Sequence, residues 1–291
     1  MTQQNTGRTR FGPSGNSKSF YDSGLKSTEQ SAAYTKEFGL DIFEYSFGRG
    51  VNMSDEKAVS IGSAFAALGL ELSVHAPYYI NFANPDPQSF ENSVGYIVRS
   101  LKKLQLMGGK RCVFHPGSQG KAERAQAADL TKDNIARMAE RLDGFGLTDV
   151  MLCAETMGKL GQIGTVAEVC DFCSVDSRIY PCVDFGHINA REQGILKAQK
   201  DYYDVINYMF DHMEPHKVRN MHIHFSMIEY GAKGEIRHLD FEDRAFGPPF
   251  EPLMEVLHGL NITAYLICES AQRQIEDAAA MKNYYTALGG V

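Results

Sequence analysis

The chain has 291 residues, of which 43% are hydrophobic and 22% charged, and a formal net charge of −7. Those fractions belong to an ordinary soluble globular protein with one large core or two small ones, and the acidic balance excludes nucleic-acid binding through bulk positive charge. No apolar run approaches the ~20 residues of a membrane span, and the polar segment Met1 to Ser19 lacks the apolar stretch of a secretory signal, so a cytoplasmic protein is expected.

In chain order, Arg10-Phe-Gly-Pro-Ser-Gly15 reads as a first strand ending in a Gly/Pro turn. Ser27, with Gln30 three residues on, opens a helix that Gly39 stops. Asp41-Ile-Phe-Glu-Tyr-Ser-Phe47 is a second strand, followed by the loop Gly48-Arg49-Gly50. Ser54 caps the next helix, with Ala58, Ile61, Phe65 and Leu68 as its buried stripe. Strand three, Glu71 to Tyr78, carries His75 near its end, and a helix with Phe90, Val94, Ile97, Leu101 and Leu104 on one face follows. Strand four, Arg111 to Gly117, carries His115, and the helix around Ile135, Met138 and Leu142 comes next. Strand five, Val150 to Thr156, carries Glu155. Strand six, Tyr180 to Val183, delivers Asp184 and His187 with Gly186 between them, and a helix near Ile195 to Met213 leads to Asn220-Met-His-Ile-His-Phe225, strand seven. Strand eight, Ala264 to Ser270, carries Glu269.

Eight apolar strands thus alternate with amphipathic helices at roughly 36 residues per unit, which implies one (β/α)₈ TIM barrel over residues 1–291 with its chemistry at the C-terminal strand ends. The six cysteines mostly sit singly in apolar runs, the pattern of reduced core thiols; Cys170-Asp-Phe-Cys173 has redox or zinc spacing, but no second pair completes it.

His75, His115, Glu155, Asp184, His187, His222 or His224, and Glu269 all fall at strand ends, and the set continues into Gly234-Glu-Ile-Arg-His238. Any one of them alone is an ordinary buried polar group. Converging on one barrel mouth, so many ionisable groups need a compensating cation, and imidazole with carboxylate suits zinc, with manganese or iron as substitutes. Three divalent ions would cancel most of the net charge locally, so the acidic balance does not exclude a phosphate-bearing substrate.

With these residues in place the chain resembles the endonuclease IV family, zinc-dependent apurinic/apyrimidinic endonucleases on a xylose-isomerase-like barrel. The landmarks are Ser73-Val-His-Ala-Pro-Tyr-Tyr-Ile-Asn81, Phe114-His-Pro-Gly-Ser118, Ala154-Glu-Thr156, Asp184-Phe-Gly-His187, His222-Ile-His-Phe-Ser226 and Cys268-Glu-Ser270. The resemblance implies a first zinc on His75, His115 and Glu155. It implies a second on Glu155, Asp184, the strand-seven histidine and Glu269, and a third on His187, Glu235 and His238. It also implies hydrolysis of double-stranded DNA 5′ to abasic sites by a cluster-activated hydroxide with Glu155 as the catalytic carboxylate, by a monomer whose Arg49, Tyr78 and Tyr79 contact the DNA. The family commonly has Asp-Arg-His where this chain has Gly-Glu-Ile-Arg-His, so Glu235 must substitute with a longer reach. On strand seven the Met-His step favours His222, while the following Phe-Ser and the loop length favour His224. The alternative is a sugar isomerase or epimerase on the same barrel, which would need only Glu155, Asp184, His224 and Glu269.

Overall fold

The computed structural model describes residues 7–290; the polar opening read as no secretory signal lies partly outside them. The eight barrel strands are β1 (Arg10–Pro13), β2 (Ile42–Ser46), β3 (Glu71–His75), β4 (Arg111–Phe114), β5 (Met151–Glu155), β6 (Ile179–Asp184), β7 (His222–Phe225) and β8 (Tyr265–Cys268). They form one parallel sheet in which β1 pairs with β8 and each later strand with its sequence neighbour. Closure between β1 and β2 rests on a single bridge, Ser14 to Glu44, with Gly15 N–H donating to Glu44 O at 2.9 Å and Asp41 N–H to Phe11 O at 2.9 Å. Gly12 permits it: a Cβ there would stand 1.9 Å from Ile42 O.

The strands are short apolar runs buried on both faces, as a barrel covered by helices requires. Their outer residues pack under the amphipathic helices, of which Pro87–Leu106 and Arg124–Leu142 are the longest. Asp86 caps the first of these by accepting the Gln88 N–H at 3.1 Å, with Pro87 in its first turn. Ser54 accepts the Lys57 N–H at 3.2 Å, as its cap position predicts.

Three local expectations are corrected. Leu68 is no part of a buried stripe: its helix ends at Ala66, and the chain turns through Gly69 at φ +68°, leaving Leu68 exposed. Ile195 precedes rather than opens its helix, which spans Gln199–His212. Asp201 accepts the Lys197 and Ala198 N–H groups at 2.9 Å and fixes that start. A short helix, Phe185–Arg191, begins directly after β6, and the segment after β7 is an antiparallel hairpin, Met227–Gly231 with Gly234–Leu239, rather than a loop. All six cysteines are free and buried, Cys170 and Cys173 included. No described helix is long and apolar enough to cross a membrane.

Candidate metal centre

The strand ends bring His75, His115, Glu155, Asp184, His187, His224, Glu235, His238 and Glu269 to the barrel mouth, beside a cavity of about 230 Å³ lined in part by Ser46, Gly48 and Tyr78. Glu155 is its centre. The carboxylate is fully buried, with Oε2 3.1 Å from His75 Nε2 and 3.0 Å from His115 Nε2, and Oε1 3.1 Å from His224 Nδ1 and 3.4 Å from His187 Nδ1. Burial alone would push this carboxyl up; the surrounding imidazoles, His115 and His224 foremost, hold it well below the usual carboxylate range. Glu269 is likewise pushed up by burial but brought down to about 2, chiefly by His224. Asp184 goes the other way: burial raises it, and His187 offsets only part of that.

Register sets the two strand-seven histidines at different depths. Asp184 of β6 pairs with His224, whereas His222 pairs with Cys182, one layer deeper. Both side chains point inward because they are two residues apart. Only His224 stands level with the carboxylates, its Nδ1 3.4 Å from Glu269 Oε2. His222 is completely buried beneath it and is pushed down to about 4 by that burial. Its Nε2 lies 3.1 Å from Glu44 Oε2.

The ligand atoms fall into three sets at the mouth, each within 4.8 Å: His75, Glu155 and His224; Glu155, Asp184, His224 and Glu269; His187, Glu235 and His238. His115 joins the first through its 3.0 Å approach to Glu155. The donor chemistry fits divalent metal. His75 Nδ1 lies 2.8 Å from Ala76 O and His187 Nδ1 2.9 Å from Thr156 O, so each donates that N–H to a carbonyl and turns Nε2 to the mouth, toward Glu155 Oε2 at 3.1 Å and Glu235 Oε2 at 3.5 Å. Ser226 Oγ, 2.9 Å from His238 Nδ1, does the same for that ring. The buried Asp184 Oδ2 accepts no hydrogen bond from any described residue.

Glu235 reaches the third set because the hairpin is stitched to the strand-five loop. Glu235 N–H donates to Gly158 O at 3.1 Å and Leu160 N–H to Lys233 O at 3.1 Å. The hairpin register shifts between Glu229 and Tyr230, which absorbs the unusual spacing. Tyr78 and Tyr79 stand about half exposed on the rim with ring centroids 4.4 Å apart, and Arg49 is exposed on the neighbouring loop, where Tyr78 N–H donates to Gly48 O at 3.4 Å.

The profile of the family described as xylose isomerase-like TIM barrel matches residues 32–285. The chain belongs to that family. An uncharacterized protein of Methanocaldococcus jannaschii is 32% identical over 249 residues, 86% of this chain and 89% of that one. A protein named Probable endonuclease 4 from Staphylococcus saprophyticus is 28% identical over 250 residues, 81% of this chain and 80% of that one. Among solved structures, endonuclease IV of Thermus thermophilus superposes with TM-score 0.69 at 18% identity, covering 96% of this chain and 99% of that one. A D-tagatose 3-epimerase-like protein superposes with TM-score 0.73 at 16% identity, covering 96% and 98%. The likeness to endonuclease IV drawn from the strand-end motifs is thus borne out, while the superpositions at this identity speak for the fold. The strand-end pattern missed Glu44, which lies against His222 and His224: it is in mid-strand, and a lone carboxylate inside Ile-Phe-Glu-Tyr was its only sign.

Proposed function

We propose that this enzyme is a metal-dependent phosphodiesterase that cleaves double-stranded DNA 5′ to abasic sites. The observation that carries the proposal is the third ligand set, His187, Glu235 and His238, which stands beside the Glu155, Asp184, His224 and Glu269 set. A carbonyl–hydroxyl isomerisation needs one ion; an in-line displacement at phosphorus needs positive charge on both the attacking and the leaving oxygen. Zinc, or manganese or iron in its place, would be held by His75, His115 and Glu155, by Glu155, Asp184, His224 and Glu269, and by His187, Glu235 and His238. Bound there, the ions would supply that charge and lower the pKa of a water at the mouth.

The chain's own groups do the rest. Glu155 faces the first two sets from the barrel axis and touches His187 of the third, so it would orient the attacking water. Tyr78 and Tyr79 offer exposed ring faces beside the cavity, where a strand opened at a missing base would stack. A nucleotide without a base leaves the duplex at less cost than an intact one, a physical source of lesion selectivity.

The second reading, a sugar epimerase, is favoured by one observation: Glu155, Asp184, His224 and Glu269 form a complete single-ion set by themselves. The deciding experiment loads the metal-free protein with zinc or manganese and assays a synthetic abasic duplex and a panel of ketohexoses side by side. Cleavage 5′ to the lesion is expected; epimerisation without cleavage would overturn the proposal.

A further inference from the structure

Glu44 sits in the middle of β2, wholly buried below the mouth, and faces two imidazoles at once. Its Oε1 lies 2.9 Å from His224 Nε2 and its Oε2 3.1 Å from His222 Nε2, while Ser73 Oγ donates to Oε2 at 2.9 Å. We propose that Glu44 is a positioning residue: its negative charge, 2.9 Å away, keeps the proton on His224 Nε2 and so leaves the Nδ1 lone pair for the metal pocket. This rests on the mouth being a metal centre and not on what the substrate is.

Three other histidines of the mouth show what is unusual here. His75 and His187 turn Nδ1 to neutral backbone carbonyls, His238 turns it to the Ser226 hydroxyl, and each presents Nε2. His224 is reversed, with Nδ1 facing Glu155 and Glu269 and Nε2 facing an anion. In the opposite tautomer the Nε2 lone pair would point at the Glu44 carboxylate, a buried repulsion with no water to screen it. An anionic partner on the distal nitrogen also makes the imidazole a stronger donor, and loss of such a partner typically weakens metal binding 10–100-fold. The Ser73 hydroxyl, donating to Oε2, holds the carboxylate in place, with the neutral His222 packed a layer deeper.

Cys182, His222 and His224 also bring ligand atoms within 4.8 Å of one another and could be mistaken for a further ion site. Both Nε2 atoms already face the Glu44 carboxylate, at 3.1 and 2.9 Å, though neither is aligned as a hydrogen bond, and the proposal assigns this layer to proton placement by that charge, without a metal.

The test uses the full chain, stripped of metal. Zinc titration against a chromophoric chelator should show Glu44→Gln weakening a His224-containing site about 10–100-fold, with the metal-free melting temperature unchanged or higher and Ser73→Ala shifting affinity less than about threefold. Wild-type affinity in a folded Glu44→Gln protein would overturn the proposal. Should that variant not fold, imidazole ¹⁵N spectra of the zinc-loaded wild type decide: His224 is expected as the Nε2–H tautomer coordinated through Nδ1, and coordination through Nε2 would refute it. Cobalt loading provides an independent arm. No thiolate-to-cobalt band is expected; a band abolished by Cys182→Ser would place these side chains in a metal shell and overturn the positioning role.

Discussion

His187 Nε2 lies 3.5 Å from Glu235 Oε2, a contact that joins the short helix after β6 to the hairpin after β7. It exists because Gly158 lies between them: a Cβ there would stand 2.8 Å from Glu235 Cβ and 2.9 Å from His187 Cδ2. Gly158→Ala should therefore release one ion per chain and leave the other sites loaded, as elemental analysis would read. His187→Ala and His238→Ala should do the same. Each should lower abasic-site cleavage at least ~100-fold, the scale of one strong electrostatic stabiliser. Full cleavage by a variant that has demonstrably lost this ion would rule out a three-ion mechanism.

The purified protein should hold two to three divalent ions per chain, because three ligand sets stand at the mouth. At most one tightly bound ion after zinc reconstitution would shift the balance to the epimerase.

The metal-free and metal-loaded forms should respond oppositely to pH. Without metal, burial pushes the His75 imidazole down, but the hydrogen bond and charge of Glu155 outweigh it and raise it to about 9. A folded-state value above the unfolded one, near 6.5, contributes stability that is whole below 6.5 and disappears as pH rises through 9. Metal needs the neutral ring, so its affinity must rise over the same window as protons are displaced. The melting temperature of the metal-free chain should fall from pH 6.5 to 9 while zinc affinity increases. A metal-free melting curve indifferent to pH in this range would show that His75 and Glu155 are not ion-paired.

Tyr78 and Tyr79 are about half exposed, so replacing both with Ala should leave melting and metal content unchanged. Binding of an abasic duplex should weaken by about 1–3 kcal/mol per lost ring. A double variant that no longer melts cooperatively would assign the rings to the core.

Gly12→Ala tests barrel closure. The added methyl would meet Ile42 O at 1.9 Å, a backbone atom that cannot swing aside. Destabilisation of about 1–3 kcal/mol or more is expected from overpacking, read as a lower urea midpoint. An unchanged midpoint would mean that β1 and β2 separate without consequence.

The sequence by itself determined the alternation of strand and helix and the ligand types at the strand ends, because both are local: a buried strand announces itself by composition, and the residue at its lip is the next one along. It left His222 and His224 on the same face; which of them stands level with the carboxylates depended on pairing Asp184 with His224, a register set by the whole sheet. Nor could it see that Leu68 leaves its helix or that Glu235 rides on a hairpin held by Gly158 and Leu160. Glu44 is the sharpest case. In the chain it is one carboxylate in an apolar strand, and only the closed barrel, which brings β2 opposite β7, sets it against two histidines. Such contacts join residues far apart in sequence, so their geometry belongs to the tertiary structure.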